Sequence, residues 1–264
     1  MRILAIGDPH GKLDKIKKLP LKNIDLILLT GDLGKANLAR EIAFENIERK
    51  RRGLSEKGYS ASMHKRVFME TYTSTIKLIV YLSRFAPVYT VFGNVEMSDS
   101  EIKKLSAEIE QKLPLLTSRL NSIKNVKIIN NKSINFNGLK IGGLEYFLDK
   151  SWVKEFKPLD LKGMMKEGEK ETAKVQKILS HFEKLDILVC HQPPYKILDK
   201  VNASFVPKHW QGKHAGSKAI LDYIKNKKPK YVFCGHIHEG KGVKKLGQTE
   251  IYNLGVCGHK IVEF

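Results

Sequence analysis

The chain has 264 residues, 42% of them apolar, enough to bury a core of its own, and no low-complexity tract or internal repeat interrupts it. Its net charge of +19, carried mostly by lysine, favours encounters with phosphate-rich partners but fixes neither partner nor fold. The three cysteines, Cys190, Cys234 and Cys257, are an odd number with no C-x-x-C pair, which excludes a disulfide framework, and the apolar runs are too short to span a bilayer.

The chain opens directly in a strand pattern, "RILAIG" at 2–7, with no charged leader or cleavage site, so a cytoplasmic protein is expected. "IDLILLT" at 24–30 is a second continuous apolar run, the pattern of a strand covered on both faces, and "VYTVFG" at 88–93 is a third. Between 35 and 85 the period turns helical, in "AREIAFENIERKRR" and "YTSTIKLIVYLSRF", with a looser "GLSEKGYSASMH" between them. Residues 99–123 read as helix again, interrupted at Pro114. "VKIIN" at 126–130 is a short strand, and "SINFNGLKIGGLEY" at 133–146 is a hairpin turning at Asn137-Gly138. Residues 150–182 are mixed, with a helix around "EKETAKVQKILSHFEK"; "DILVCH" and "YVFCGH" are two more buried strands, and "EIYNLG" and "KIVEF" close the chain. Cys190 and Cys234 fall inside strand patterns, where cysteine serves as a small hydrophobe. No linker divides the chain, so the expectation is one α/β domain over 1–264, layered sheets flanked by helices, with helical insertions near 35–85 and 99–123.

The polar residues collect where these strands stop. "GDPHG" supplies Asp8 and His10, "TGDLG" Asp32, "GNVE" Asn94 and Glu96, "HQPP" His191, and "GHIHE" His236 and His238. A Gly-Asp after a strand is ordinary turn chemistry when it stands alone, and a buried histidine is usually just hydrogen-bonded. Five strands that all end in oxygen or nitrogen donors are a different matter, because α/β sheets gather their sites beyond the carboxyl ends of their strands. Nitrogen and oxygen donors without thiolate suit Mn²⁺, Fe, Ni²⁺, Co²⁺ or Zn²⁺.

Taken in order, D-x-H, G-D, G-N-x-[DE], H and G-H-x-H resemble the calcineurin-like metallophosphoesterases, from Asp8 to His238. The resemblance implies a four-layer α/β/β/α sandwich, two mixed β-sheets flanked by helices, with two divalent metal ions in the loops at one end. It implies that Asp8, His10 and His238 hold one ion, that Asn94, His191 and His236 hold the other, and that Asp32 bridges them. The implied activity is hydrolysis of phosphate esters, with phosphodiesters favoured and a bridging hydroxide as nucleophile, and with Asp32, Asn94 and Glu96 in the catalytic set.

This chain departs from the family at one position. Family members commonly carry histidine after the asparagine as the acid for the leaving oxygen; here the residue is Val95, and Glu96 loses its usual partner. His209 and His214, in the loop "SFVPKHWQGKHAG", are the replacement candidates on chemistry, and Trp210 beside them is a candidate wall of the cleft. Two alternatives remain. A nuclease or nucleic-acid-binding protein of the same fold would use the basic clusters "ERKRR", "KNKKPK" and "KGVKK", although dispersed lysine more often forms a solvated face. A weakly active scaffold would not need all seven ligand positions, and all seven are here.

Overall fold

The computed structural model describes residues 1–156, 161–203, 206 and 208–264. Residues 157–160 of the mixed stretch, and Ser204, Phe205 and Pro207 of the histidine-bearing loop, lie outside the described residues.

Two mixed sheets form the centre. The first contains β1 (Arg2–Ile6), β2 (Leu26–Leu29), β3 (Val88–Thr90) and β4 (Val126–Ile128), all parallel, with β11 (His259–Glu263) antiparallel on the outer side of β1. The second runs β5 (Lys132–Phe136), β6 (Leu139–Leu144), β7 (Ile187–Cys190), β8 (Tyr231–Cys234), β10 (Thr249–Asn253) and β9 (Gly242–Leu246). Its four inner strands are parallel, and its two edge strands are antiparallel to their neighbours.

The continuous apolar runs follow from this layering, since alternate residues of each strand enter different cores. Ile3, Ala5, Leu26, Leu28, Ile187, Val189 and Phe233 fill the space between the sheets. Leu4, Ile6, Ile27 and Leu29 face the other way, onto the helices that cover the first sheet. Leu188, Cys190, Val232 and Cys234 do the same beneath the helices of the second. Both cysteines are free and buried, and burial pushes their thiols up, so they act as core residues.

The short helix α1 (Leu13–Ile16) follows β1, and the segment between β2 and β3 forms α2 (Asn37–Arg51) and α3 (Ala61–Leu82). Ser60 caps α3 by accepting the Met63 N–H, so the helix begins inside the stretch that reads as loose in sequence. Between β3 and β4 lie α4 (Asp99–Glu108), opened by a Ser98–Glu101 capping box, and α5 (Leu116–Asn121); Pro114 sits in the break between them. α6 (Lys150–Phe156), α7 (Leu161–His181) and α8 (Lys218–Lys227) belong to the second half. The Asn137-Gly138 hairpin forms as read, with both residues at positive φ, 50° and 89°. The "KGVKK" cluster is instead the edge strand β9, whose exposed Lys244 and Lys245 discourage pairing with another chain.

Candidate metal centre

β1, β2, β3, β7 and β8 are parallel within their sheets, so their carboxyl ends deliver their loops to one end of the sandwich. Asp8, His10, Asp32 and His238 bring one donor atom each within 4.8 Å of one another. His10 Nε2 lies 3.3 Å from His238 Nε2 and 3.7 Å from Asp32 Oδ2, and His238 Nε2 lies 3.3 Å from Asp8 Oδ2. A second group adjoins the first. Asn94 Oδ1 is 3.0 Å from both His191 Nε2 and His236 Nδ1, and His191 Nε2 is 3.5 Å from Asp32 Oδ1. Asp32 therefore turns one carboxylate oxygen toward each group.

These spacings fit metal ions. Donors about 2.1 Å from a shared cation lie about 3.0–3.5 Å apart in tetrahedral or octahedral arrangements. The His10 Nδ1 atom is buried with no hydrogen-bond partner, so the ring is held by its surroundings and by whatever its Nε2 atom meets. Room for the carboxylates is made by glycine: a Cβ at Gly235 would stand 2.1 Å from Asp8 Oδ1, and one at Gly93 would stand 2.2 Å from Asp32 Oδ1. Three of the donors sit on strained backbone, with φ of 45° at His10, 47° at Asp32 and 64° at His236. Left-handed geometry at non-glycine residues is the kind of strain that gathers at functional sites.

Neighbouring groups orient the donors. The His191 Nδ1–H donates to the Thr30 carbonyl at 2.8 Å, which leaves the Nε2 lone pair facing Asn94 and Asp32. The Thr30 hydroxyl donates to Asp8 Oδ1 at 2.8 Å, and the His236 backbone N–H donates to Asp8 Oδ2 at 2.6 Å. Tyr146 packs its ring 6.0 Å from that of His191 and 5.5 Å from that of His236. Thr30 and Tyr146 are not among the sequence candidates, although the first stands directly before Gly31-Asp32 and the second follows β6 by two residues.

The electrostatics of the cluster suit a cation. Burial holds the His10 imidazole down at about 4 and that of His236 at about 3, so both rings stay neutral and able to ligate. Burial pushes the Asp8 carboxyl up, but its hydrogen bond to His238, the neighbouring His191 and His238 rings and the His236 N–H outweigh that and hold it at about 2. Asp32 goes the other way, pushed up to about 8 by burial and by the Asp8 charge. Two carboxylates this deep cannot both ionise until positive charge arrives between them.

Glu96, His209 and His214 do not take the places expected of them. The Glu96 carboxylate accepts the N–H groups of Leu33 at 2.7 Å, Gly34 at 3.3 Å and Gly93 at 2.9 Å, and it is not among the described residues lining the cavity. It ties the loop after β2 to the loop after β3, and is a positioning residue. Burial, reinforced by the Asp32 charge, pushes its carboxyl up to about 7. Glu96→Gln turns an amide NH₂ toward one of these N–H donors, so a destabilisation of about 1–3 kcal/mol is expected, read as a Tm lower by several degrees. The His214 Nδ1–H donates to Asp199 Oδ1 at 2.7 Å, inside a loop brace whose other carboxylate oxygen takes the Lys196 and Gly216 N–H groups. His209 is exposed. Neither histidine is among the described residues lining the cavity. Both positions were attractive only because the loop joins two strands that carry donors.

That cavity measures about 910 Å³ and opens over His10, Asp32, Asn94, His236 and His238. Val95 lines it, and so do Lys12, Arg40 and His64, the last two contributed by α2 and α3. Trp210 lines it as expected, joined by Trp152 from α6.

A profile of the calcineurin-like phosphoesterases matches residues 1–240. The chain belongs to the calcineurin-like phosphoesterase family. Members of this family hydrolyse phosphate esters with divalent metal ions, and the Asp8, His10, Asp32 and His238 cluster offers donors that could hold such an ion. Metallophosphoesterase domain-containing protein 1 of Homo sapiens is 38% identical over 76 residues, which make up 28% of this chain and 21% of that protein. A UPF0046 protein of Caenorhabditis elegans is 31% identical over 96 residues, 33% of this chain and 31% of its own length. The matched stretches thus span less than a third of either relative. One solved structure, 16% identical, superposes with a TM-score of 0.62 over 99% of this chain and 94% of its own, which bears on the fold alone. Among the described residues, no helix is long and apolar enough to cross a membrane.

Proposed function

We propose that this phosphoesterase hydrolyses phosphodiesters at a centre of two divalent cations. Asp8, His10 and His238 hold one, Asn94, His191 and His236 hold the other, and Asp32 joins them. The observation that carries this reading is the Asp32 carboxylate, with Oδ2 3.7 Å from His10 Nε2 and Oδ1 3.5 Å from His191 Nε2. Cations held by these residues would supply a hydroxide nucleophile at neutral pH and would neutralise charge on the phosphoryl oxygens. The rest falls to the chain. Neutral imidazoles and ionised Asp8 present lone pairs in fixed directions, because Thr30, the His236 N–H and Tyr146 hold them there. Val95 gives no proton to the leaving oxygen, which favours esters whose leaving group departs unaided.

Preference for diesters rests on the shape of the cavity. It runs from the α2–α3 side, with Arg40 and Phe68, to the α6 side, with Trp152 and Trp210, leaving space for an organic group on each side of the phosphoryl position. The basic clusters at 48–52, 225–230 and 241–245 supply none of the described residues lining the cavity, so these clusters lend the nuclease reading no support at the site.

The test is a screen of demetallated protein with Mn²⁺, Fe²⁺, Co²⁺, Ni²⁺ and Zn²⁺ added singly, against p-nitrophenyl phosphate and bis(p-nitrophenyl) phosphate. Two bound ions per chain by elemental analysis are expected, with kcat/KM about tenfold or more higher on the diester. One ion at saturation, or a monoester preference, overturns the corresponding half of the reading.

A further inference from the structure

Aromatic side chains line much of the cavity. The chain has only two tryptophans, Trp152 and Trp210, and both line this cavity. Their rings stand 6.1 Å apart, edge to face. Phe156, 2% exposed, braces both: it stacks on Trp152 at 5.5 Å and meets Trp210 edge-on at 5.3 Å. Each tryptophan is only partly buried, so this apolar surface is not consumed by the core. The same apolar cluster contains Ile237, the residue between His236 and His238, so the aromatic surface starts at the donor loop itself. Tyr72, on α3, also lines the cavity and stacks at 5.7 Å on the buried Phe68.

We infer that this wall is a subsite for an aromatic organic group carried by the phosphate ester, with Trp152 and Trp210 as the specificity-determining side chains. The inference rests on the phosphoesterase reading for its anchor: the phosphoryl group is fixed at the donor cluster, and one ester arm then lies along the ring faces next to Ile237. Aromatic rings suit such an arm because stacked or edge-on contacts add to the apolar area removed from water. The wall is rigid before anything binds, since Phe156 is buried behind it, so little side-chain freedom is lost on contact. A short alkyl arm leaves most of that surface wet. Phe156, Val201 and Ala215 also line the cavity but are buried, as core packing requires, whereas the two tryptophans stay partly exposed.

The two tryptophans also report on the site, because no other residue contributes to the tryptophan emission of this chain. The experiment titrates the metal-loaded full chain with phenylphosphonate and with methylphosphonate, neither of which is hydrolysed, following tryptophan emission and calorimetric Kd. Phenylphosphonate is expected to bind about tenfold or more tightly than methylphosphonate and to shift the emission saturably. Trp152→Ala is expected to reduce that ratio to about twofold or less, and Trp152→Phe, which keeps a ring in place, to retain most of it. Equal affinities, binding of the phenyl ligand without an emission change, no binding of either ligand, or an unaltered ratio in Trp152→Ala overturns the inference. If the phenyl preference and the emission shift hold but no phosphate ester is hydrolysed with any ion, the catalytic reading fails and the aromatic subsite stands.

Discussion

Replacing Asp32 with asparagine is expected to lower kcat/KM on bis(p-nitrophenyl) phosphate about a thousandfold, a loss of about 4 kcal/mol of transition-state stabilisation. The substitution is nearly isosteric and retains an oxygen to accept the Val95 N–H that Asp32 Oδ1 takes at 3.1 Å. What it removes is the negative charge between the two donor groups, and with it the ability to balance two cations held close together. Elemental analysis of the variant should show fewer than two ions per chain at metal concentrations that saturate the wild type. The same substitution has the opposite effect on the demetallated protein. Asp32 is pushed up to about 8 in the fold against an ordinary 3.8. The folded state thus binds the proton more tightly than the unfolded chain. Stability from this group is complete below about pH 4 and is lost as the pH rises through 8. Asparagine carries no such penalty, so demetallated Asp32→Asn should be more stable than demetallated wild type above pH 8, by up to about 5 kcal/mol, with the gap closing toward pH 4. Melting curves of both proteins in chelator across that range measure it. A loss of activity without this crossover in stability would mean that Asp32 acts otherwise than as a buried charge awaiting cations.

Much of this site is legible in sequence because its donors are polar residues set at the ends of unbroken apolar runs. Ile3 to Ile6 and Leu26 to Leu29 are wholly buried on both faces. Nothing polar interrupts them, so Asp8, His10 and Asp32 stand out where the chain leaves the core, and the same holds for His191 after β7 and His236 after β8. The layers are legible for a related reason: the cores on the two faces of each inner strand demand apolar residues at nearly every position, which separates those strands from the amphipathic helices between them. The cavity walls are not legible. Arg40, His64 and Trp152 lie on helices whose period looks the same whether a face meets a core or a cleft, and only the tertiary arrangement says which. Glu96 shows the limit most clearly. Its position two residues after Asn94 suggested a role in the chemistry, but its function depends on which backbone N–H groups surround it, and those of Leu33 and Gly34 come from a loop some sixty residues earlier. The same holds for His214: the buried Asp199 that engages it cannot be told in sequence from any other loop aspartate.

Val95→His should raise kcat/KM on diesters with alkyl leaving groups about tenfold to a hundredfold, while changing p-nitrophenyl esters less than about twofold. Position 95 is fixed beside the centre, since its N–H donates to Asp32 and its side chain lines the cavity. An imidazole there, unlike the valine, is a group that can carry a proton to the leaving oxygen. That proton matters for an alkoxide, which leaves poorly as an anion, and hardly matters for p-nitrophenolate, which leaves unprotonated. The gain is set at the low end of general acid catalysis because the carboxylate that would orient the ring is already engaged: Glu96 is bound to the N–H groups of Leu33, Gly34 and Gly93. The informative measurement is the slope of log kcat/KM against leaving-group pKa across a series of methyl aryl and dialkyl phosphates. The wild type should show a steep decline as the leaving group grows more basic, and Val95→His a shallower one. Val95→Asn controls for polarity and size, since an amide can hydrogen-bond to the leaving oxygen but cannot protonate it, and it should keep the steep slope. If the wild-type slope is already shallow, some group other than residue 95 delivers the proton. Parallel slopes for wild type and Val95→His would show instead that bond breaking to the leaving group does not limit the rate.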